Sequence, residues 1–99
     1  MDIQKVTDGS KVTMTVSGRL DTNTAPQFEK ELKDCLNGVD DLTLDFSKLD
    51  YISSAGLRVL LSAQKLMNNG GGSMRVTGCN EIVKEIFEVT GFTDILTIE

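Results

Sequence analysis

The sequence contains no histidine and no tryptophan. Without histidine it lacks the commonest general base near neutral pH and the commonest metal ligand. A hydrolase built on a Ser-His-Asp triad and a histidine zinc site are therefore not expected. An excess of basic residues is also missing. Ten Lys and Arg stand against fifteen Asp and Glu, for a net charge of −5. Nucleic acid and anionic membrane surfaces both need a positive patch, so neither is expected as a partner. Cysteine is confined to Cys35 and Cys79, in no metal-ligand spacing. Two buried free thiols in a reducing cytoplasm are the expectation. No run approaches the ~18 apolar residues of a membrane span, and Met1-Asp2-Ile3-Gln4 carries no apolar leader.

What is present is globular in character. Hydrophobic residues make up 39% of the 99 residues and charged ones 25%. One domain over residues 1–99, with a modest core and no cofactor, is expected.

Residues 2–7 read as a short edge strand. Asp8-Gly9-Ser10 is a turn signal that joins it to Val12-Thr13-Met14-Thr15-Val16-Ser17, which alternates apolar and polar. Gly18 to Thr24 reads as a polar loop. Thr24 then opens a helix as N-cap, with Pro26 in the first turn and Gln27 placed as in a capping box. Phe28, Leu32, Cys35 and Leu36 form one helix face, and Asn37-Gly38 stops it.

Leu42 to Phe46 alternates again as a strand. Ser47 to Ser53 reads as a connection with Leu49 and Ile52 tucked into the core. A second helix runs from about Ser54 to Asn68, apolar on more than one side. Gly70-Gly71-Gly72 lies between a helix and a strand. Phosphate-cradling loops run from strand to helix, so these glycines read as a helix stop. Met74 to Thr77 is a third alternating strand. Asn80 caps a helix over 81–90, Gly91 and Phe92 follow as a glycine C-cap, and Ile95 to Ile98 forms a last short strand.

The order β-β-α-β-α-β-α-β predicts a mixed, mostly parallel sheet. Alternation in the strands predicts that the main helices cover one face of it and water the other.

Asp50-Tyr51-Ile52-Ser53-Ser54-Ala55-Gly56-Leu57 places two hydroxyls at a strand-to-helix transition. A serine there caps the helix, or it accepts a phosphate that the helix N-terminus welcomes. The residues alone leave both readings open. Asp21 either closes a turn or takes part in a site. Asp45 reads as a solvated face residue. Arg58 falls near the start of its helix, the unfavourable end for a cation, and is expected to face solvent or a partner. No acid here is joined by a base, a nucleophile or a metal cluster, so no catalysis is expected.

Ser53-Ser54-Ala55-Gly56-Leu57-Arg58 resembles the central motif of the anti-sigma factor antagonist family, the small bacterial STAS domains. Gly18-Arg19-Leu20-Asp21 is similar to that family's loop after the second strand. Gly70-Gly71 before Met74, and Val83-Lys84-Glu85-Ile86-Phe87 with Thr90-Gly91-Phe92, resemble its last part. The resemblance covers essentially the whole chain and implies the STAS fold.

It also implies a partner switch. Ser54 matches the serine that a partner kinase phosphorylates. The implied partners are an anti-sigma factor that is also a serine kinase of the GHKL ATPase type, and a metal-dependent serine phosphatase that resets the modified form. The implied partner-binding residues are Asp21, Thr22, Asn23, Ser53, Ser54, Gly56, Leu57 and Arg58. Three positions depart from the family pattern. Ser53 replaces an aspartate, Ala55 a second hydroxyl, and Arg58 a glycine. The alternatives are a STAS subunit or scaffold of a transporter or signalling complex that is never phosphorylated, and a small enzyme or nucleotide binder using the Ser54 helix as an anion site.

Overall fold

Three crossovers organise the sheet. The computed structural model describes all 99 residues. In chain order they form β1 (Asp2–Asp8), β2 (Lys11–Leu20), α1 (Ala25–Cys35), β3 (Asp41–Ile52), α2 (Ser54–Asn69), β4 (Ser73–Thr77), α3 (Glu81–Val89), a 3-10 turn (Phe92–Asp94) and β5 (Thr97–Ile98). The spatial order is β1-β2-β3-β4-β5, with β1 antiparallel to β2 and the remaining pairs parallel. Each parallel connection steps one strand in the same direction. Right-handed crossovers of that kind lay their helices on one face.

Burial follows the same division. Val12, Met14 and Val16 of β2, Leu42, Leu44 and Phe46 of β3, and Met74 and Val76 of β4 are buried. Thr13, Thr43, Asp45, Arg75 and Thr77, which alternate with them, are half-buried or exposed. The buried face meets Phe28 and Leu32 of α1, Leu60, Ala63 and Met67 of α2, and Val83 and Phe87 of α3 in one core cluster. Phe28, Phe46 and Phe87 are fully buried. Truncating any of them to alanine costs about 3–5 kcal/mol.

Two strands run longer than their patterns suggest. Gly18 to Leu20 belongs to β2, and Ser47 to Ile52 belongs to β3. The cause is visible in the register. Thr15 pairs with Asp45 but Ser17 with Lys48, and Gly18 pairs with Leu49 but Arg19 with Tyr51. Each shift inserts one extra residue into β3. A strand has period two, so each insertion flips the following side chains to the other face. The buried positions therefore change from even (Leu42, Leu44, Phe46) to odd (Leu49) and back to even (Ile52). The alternation breaks although the pairing continues.

The helix ends also differ in detail from the patterns. Thr24 occupies the N-cap position of α1 with helical φ and ψ (−101°, −18°), and its side chain makes no cap bond. The capping box with Gln27 does not form, because the Thr24 hydroxyl is turned back into the preceding loop. Asn80 caps α3 as its sequence suggests, accepting from the Val83 amide at 2.8 Å. Gly91 adopts φ 80° after α3, the left-handed conformation that glycine supplies at a helix end.

Both cysteines are free, but only Cys79 is buried. Cys35 is half-buried, because α1 ends there and exposes its last turn. Desolvation holds both thiols above the usual cysteine value. No helix is long and apolar enough to cross a membrane.

Candidate partner-binding site

β2 and β3 are parallel neighbours, so their C-terminal ends lie side by side, with Leu20 paired to Ile52. The chain continues from them into two adjacent loops. The first is Asp21 to Thr24, ahead of α1. The second is Ser53 alone, ahead of α2. A backbone bond ties them, since the Ser53 amide donates to the Leu20 carbonyl at 2.8 Å. In open α/β sheets this edge, beyond the carboxyl ends of the strands, is where ligands are taken.

The first loop is built around the Asp21 carboxylate. Its Oδ1 accepts from the Asn23 amide at 3.0 Å, the Thr24 amide at 3.1 Å and the Thr24 hydroxyl at 3.2 Å. The Thr24 Oγ1 accepts from the Asp21 amide at 2.9 Å and can donate to the Arg19 carbonyl at 2.8 Å. The Asp21 carbonyl accepts from the Ala25 amide at 2.8 Å and so starts the helix. Partial desolvation opposes the Asp21 charge. The Thr24 and Asn23 amides, the Thr24 hydroxyl and Arg19 outweigh it, and its pKa lies below the ordinary aspartate value. Thr22 and Asn23 are exposed at the tip.

Arg19 is fixed next to this loop. Its guanidinium lies 4.6 Å from the Tyr51 ring centroid, a cation–π distance, and its Nε is 3.9 Å from Asp21 Oδ2.

In the second loop the two serines part company. Ser53 is the N-cap residue of α2, with extended φ and ψ (−98°, 175°), and its carbonyl accepts from the Leu57 amide at 2.9 Å. Its hydroxyl makes no cap bond and is buried without a hydrogen-bond partner. Of the two roles open to a serine at this transition, side-chain capping is not made by Ser53. The backbone geometry is that of a cap, but the hydroxyl does not reach the N–H groups of the first turn. Ser54 is the first residue of α2 and is exposed.

Two of the expected contact residues lie below the surface of the domain. Gly56 and Leu57 are buried, with Leu57 6% exposed, so neither offers a side chain to a partner. A Cβ on Gly56 would lie 2.7 Å from Leu20 Cγ and 2.8 Å from Ile52 Cγ1. Glycine at 56 lets α2 sit against the ends of β2 and β3, and that contact sets the height of Ser54 above the sheet. Arg58, by contrast, is exposed.

Between the first turns of α1 and α2 runs an open cleft of about 270 Å³. Thr22, Glu29, Ala55, Arg58, Val59 and Ser62 are among the residues that line it. Spacing alone did not place Glu29 in one cleft with Arg58, because α1 and α2 come together only on packing; Ser62 stands one turn after Arg58 on α2 itself. A larger hollow of about 500 Å³ lies at the far end of the same helices, between Lys33, Leu36, Leu66 and Met67, away from Ser54. No cluster of three or more Cys, Asp or Glu side chains is placed to hold a metal ion.

The STAS-domain family model matches residues 2–99. BtrV of Bordetella bronchiseptica, whose name assigns it as an anti-sigma factor antagonist, is 36% identical over 84 residues, covering 84% of this chain and 72% of that protein. Among solved structures, a Thermotoga maritima protein assigned to the same role superposes with a TM-score of 0.90 at 22% identity, over 97% of this chain and 84% of that one. The Bacillus cell fate determinant SpoIIAA, in its phosphorylated form, superposes with a TM-score of 0.77 at 15% identity, over 99% of this chain and 91% of that one. At those identities the two structural likenesses carry the fold alone. The chain belongs to the STAS-domain family, alongside proteins named as anti-sigma factor antagonists.

Proposed function

We propose that this protein is an anti-sigma factor antagonist whose binding surface is the edge formed by the Asp21–Thr24 loop and the start of α2, and whose switch is phosphorylation of Ser54. The observation that carries this reading is the placement of Ser54. It is exposed, it opens α2, and it stands at the carboxyl edge of the parallel strands beside the Asp21 loop. BtrV supports the antagonist role by its name, and SpoIIAA supports the switch because a STAS domain exists in a phosphorylated form.

The unmodified domain binds an anti-sigma factor that is also a serine kinase of the GHKL ATPase type. The Ser54 hydroxyl attacks the γ-phosphorus of the kinase's ATP. A bond from Oγ to phosphorus forms, the bond to the β-phosphate oxygen breaks, ADP leaves, and the hydroxyl proton passes to a base on the kinase. A metal-dependent phosphatase reverses the change by hydrolysis, returning serine and inorganic phosphate.

The helix tolerates the product. Its N-terminus carries roughly half a positive charge, and the phosphate adds about −1.5 to −2. The fold therefore persists while the edge gains negative charge. Turning binding from nearly complete to nearly absent requires about 5.5 kcal/mol of differential affinity. A dianion introduced at a desolvated interface, near the fixed Asp21 carboxylate, contributes several kcal/mol towards that through desolvation and repulsion.

The test is affinity capture from the host, with mass spectrometry of Ser54 and a binding comparison of Ser54→Ala and Ser54→Asp. A GHKL-type kinase among the captured proteins, phosphate on Ser54, and loss of binding only in Ser54→Asp are expected. Unchanged binding by Ser54→Asp would remove the charge switch. A stable complex with an ABC ATPase, with Ser54 never modified, would replace this reading with a STAS subunit that is not phosphorylated. The replacements at 53, 55 and 58 are what motivate that alternative.

A further inference from the structure

The chain has three arginines, and two of them are committed. Arg75 pairs with Asp41 at 2.9 Å across β4 and β3. Arg19 is held by Tyr51 and Asp21. Arg58 is exposed and takes part in no ion pair within 4.0 Å. It lines the cleft that Glu29 also lines, yet the two do not pair. Its place near the start of α2 sets its charge against the helix dipole. No ion pair within 4.0 Å offsets that.

Ser54 and Arg58 are four residues apart on one helix, and both are exposed. Side chains at that spacing are neighbours, with Cβ atoms about 5–6 Å apart. The order also matters, because an anion four residues before a cation is the favourable arrangement. Arginine's planar fork matches phosphate oxygens bidentately, which lysine's point charge does not.

We propose that Arg58 is the intramolecular partner of the phosphate on Ser54. The guanidinium folds back one turn and donates to the phosphate oxygens. This rests on the reading of Ser54 as the acceptor and extends it. Phosphorylation then does two things at once. It adds charge at the edge, and it withdraws a free cation from the cleft between α1 and α2. A partner whose acidic side chain uses Arg58 in the unmodified complex loses that contact at the same moment. The charges that face the pair are Glu29 across the cleft on α1, and Asp21 and Arg19 on the adjoining edge.

The experiment needs no kinase. Phosphoserine is inserted at position 54 during translation, in the otherwise unaltered protein and in Arg58→Ala and Arg58→Lys. The phosphorus resonance is followed by NMR as pH is varied. The second ionisation of the phosphate is expected about half a pH unit lower with Arg58 than with alanine, with lysine between them. The difference should shrink in 1 M salt. Identical titrations with arginine and alanine at 58 would overturn the proposal. Arg58 is exposed, so the alanine variant should fold, and its amide spectrum checks that. The two readings fail separately. If phosphoserine abolishes partner binding but Arg58 does not move the titration, only the pairing is wrong. If Arg58 moves the titration but the phosphorylated protein still binds its partner, only the switch is wrong.

Discussion

The Ser53 amide donates to the Leu20 carbonyl at 2.8 Å, one step beyond the Leu20–Ile52 register pair. That bond extends the parallel ladder past the last paired residues and joins the two loops of the candidate site. Gly56 lies over the same junction, and a Cβ there would meet Leu20 and Ile52 below 3 Å. Replacing glycine by alanine inside a helix ordinarily gains about 1 kcal/mol. Here the added methyl must displace buried side chains, which costs about 1–3 kcal/mol. Gly56→Ala should therefore lose the propensity gain and destabilise by about 1 kcal/mol in urea unfolding. A more stable variant would mean that Leu20 and Ile52 yield freely and that the close approach does not position α2.

The two helix caps should respond in opposite ways. The Asn80 side chain accepts from the Val83 amide at 2.8 Å and donates to the Leu49 carbonyl at 3.1 Å. Asn80→Ala removes both bonds and should cost about 1–2 kcal/mol. The Ser53 hydroxyl is buried and has no partner. Ser53→Ala removes an unsatisfied group and should leave stability unchanged within about 0.5 kcal/mol or raise it. Urea midpoints at constant slope measure both. A loss of about 1 kcal/mol in Ser53→Ala would show that the hydroxyl works as a cap in solution.

Those two caps also mark how far the sequence could be read. Asn80 was legible because its role is local, an acceptor three residues before the amide it serves. Ser53 has the right residue type at the right place, yet its hydroxyl misses the first turn, and no local pattern encodes that miss. The apolar faces of α1, α2 and α3 were legible from periodicity, and the one-sided sheet from alternation. The continuation of β3 through Ile52 was not. Two inserted residues change the phase of burial there, and only pairing with β2 reveals that Leu49 and Ile52 lie on the same buried side. At the candidate site, the exposure of Thr22, Asn23, Ser54 and Arg58 agrees with the polar loop and helix start read from the sequence. Burial of Gly56 and Leu57 follows from the depth at which α2 packs, which the motif does not state.

The thiols should differ in access. Cys35 is half-buried at the end of α1, whereas Cys79 is 8% exposed. Desolvation raises both pKa values, so both should react more slowly than a free thiol at neutral pH. In the native protein a maleimide should label Cys35 first, and Cys79 should label at a comparable rate only in denaturant. Mass spectrometry of timed samples reads the order. Faster labelling of Cys79 would mean that the strand-to-helix turn before α3 opens more readily than the end of α1.

The Asp21 loop makes a prediction in acid. Its carboxylate is stabilised in the folded state by the Thr24 and Asn23 amides, the Thr24 hydroxyl and Arg19, against partial desolvation, so its folded pKa is depressed. A depressed carboxylate contributes stability above its unfolded pKa of about 3.9. That contribution is lost as pH falls through the lower folded value, where both states become protonated. Stability should therefore drop below about pH 5, and Asp21→Asn should flatten the part of the drop that Asp21 causes. Carbon-detected NMR titration of the Asp21 carboxyl gives the folded value directly. In Arg19→Ala the midpoint should move up only slightly, because Arg19 at 3.9 Å is the weakest of the supports and the Thr24 and Asn23 amides remain. A midpoint at or above that of an ordinary aspartate in the unaltered protein would mean that the loop is open in solution. Asp21 would then no longer be a fixed negative charge beside Ser54, and the repulsive half of the proposed switch would have to come from the partner.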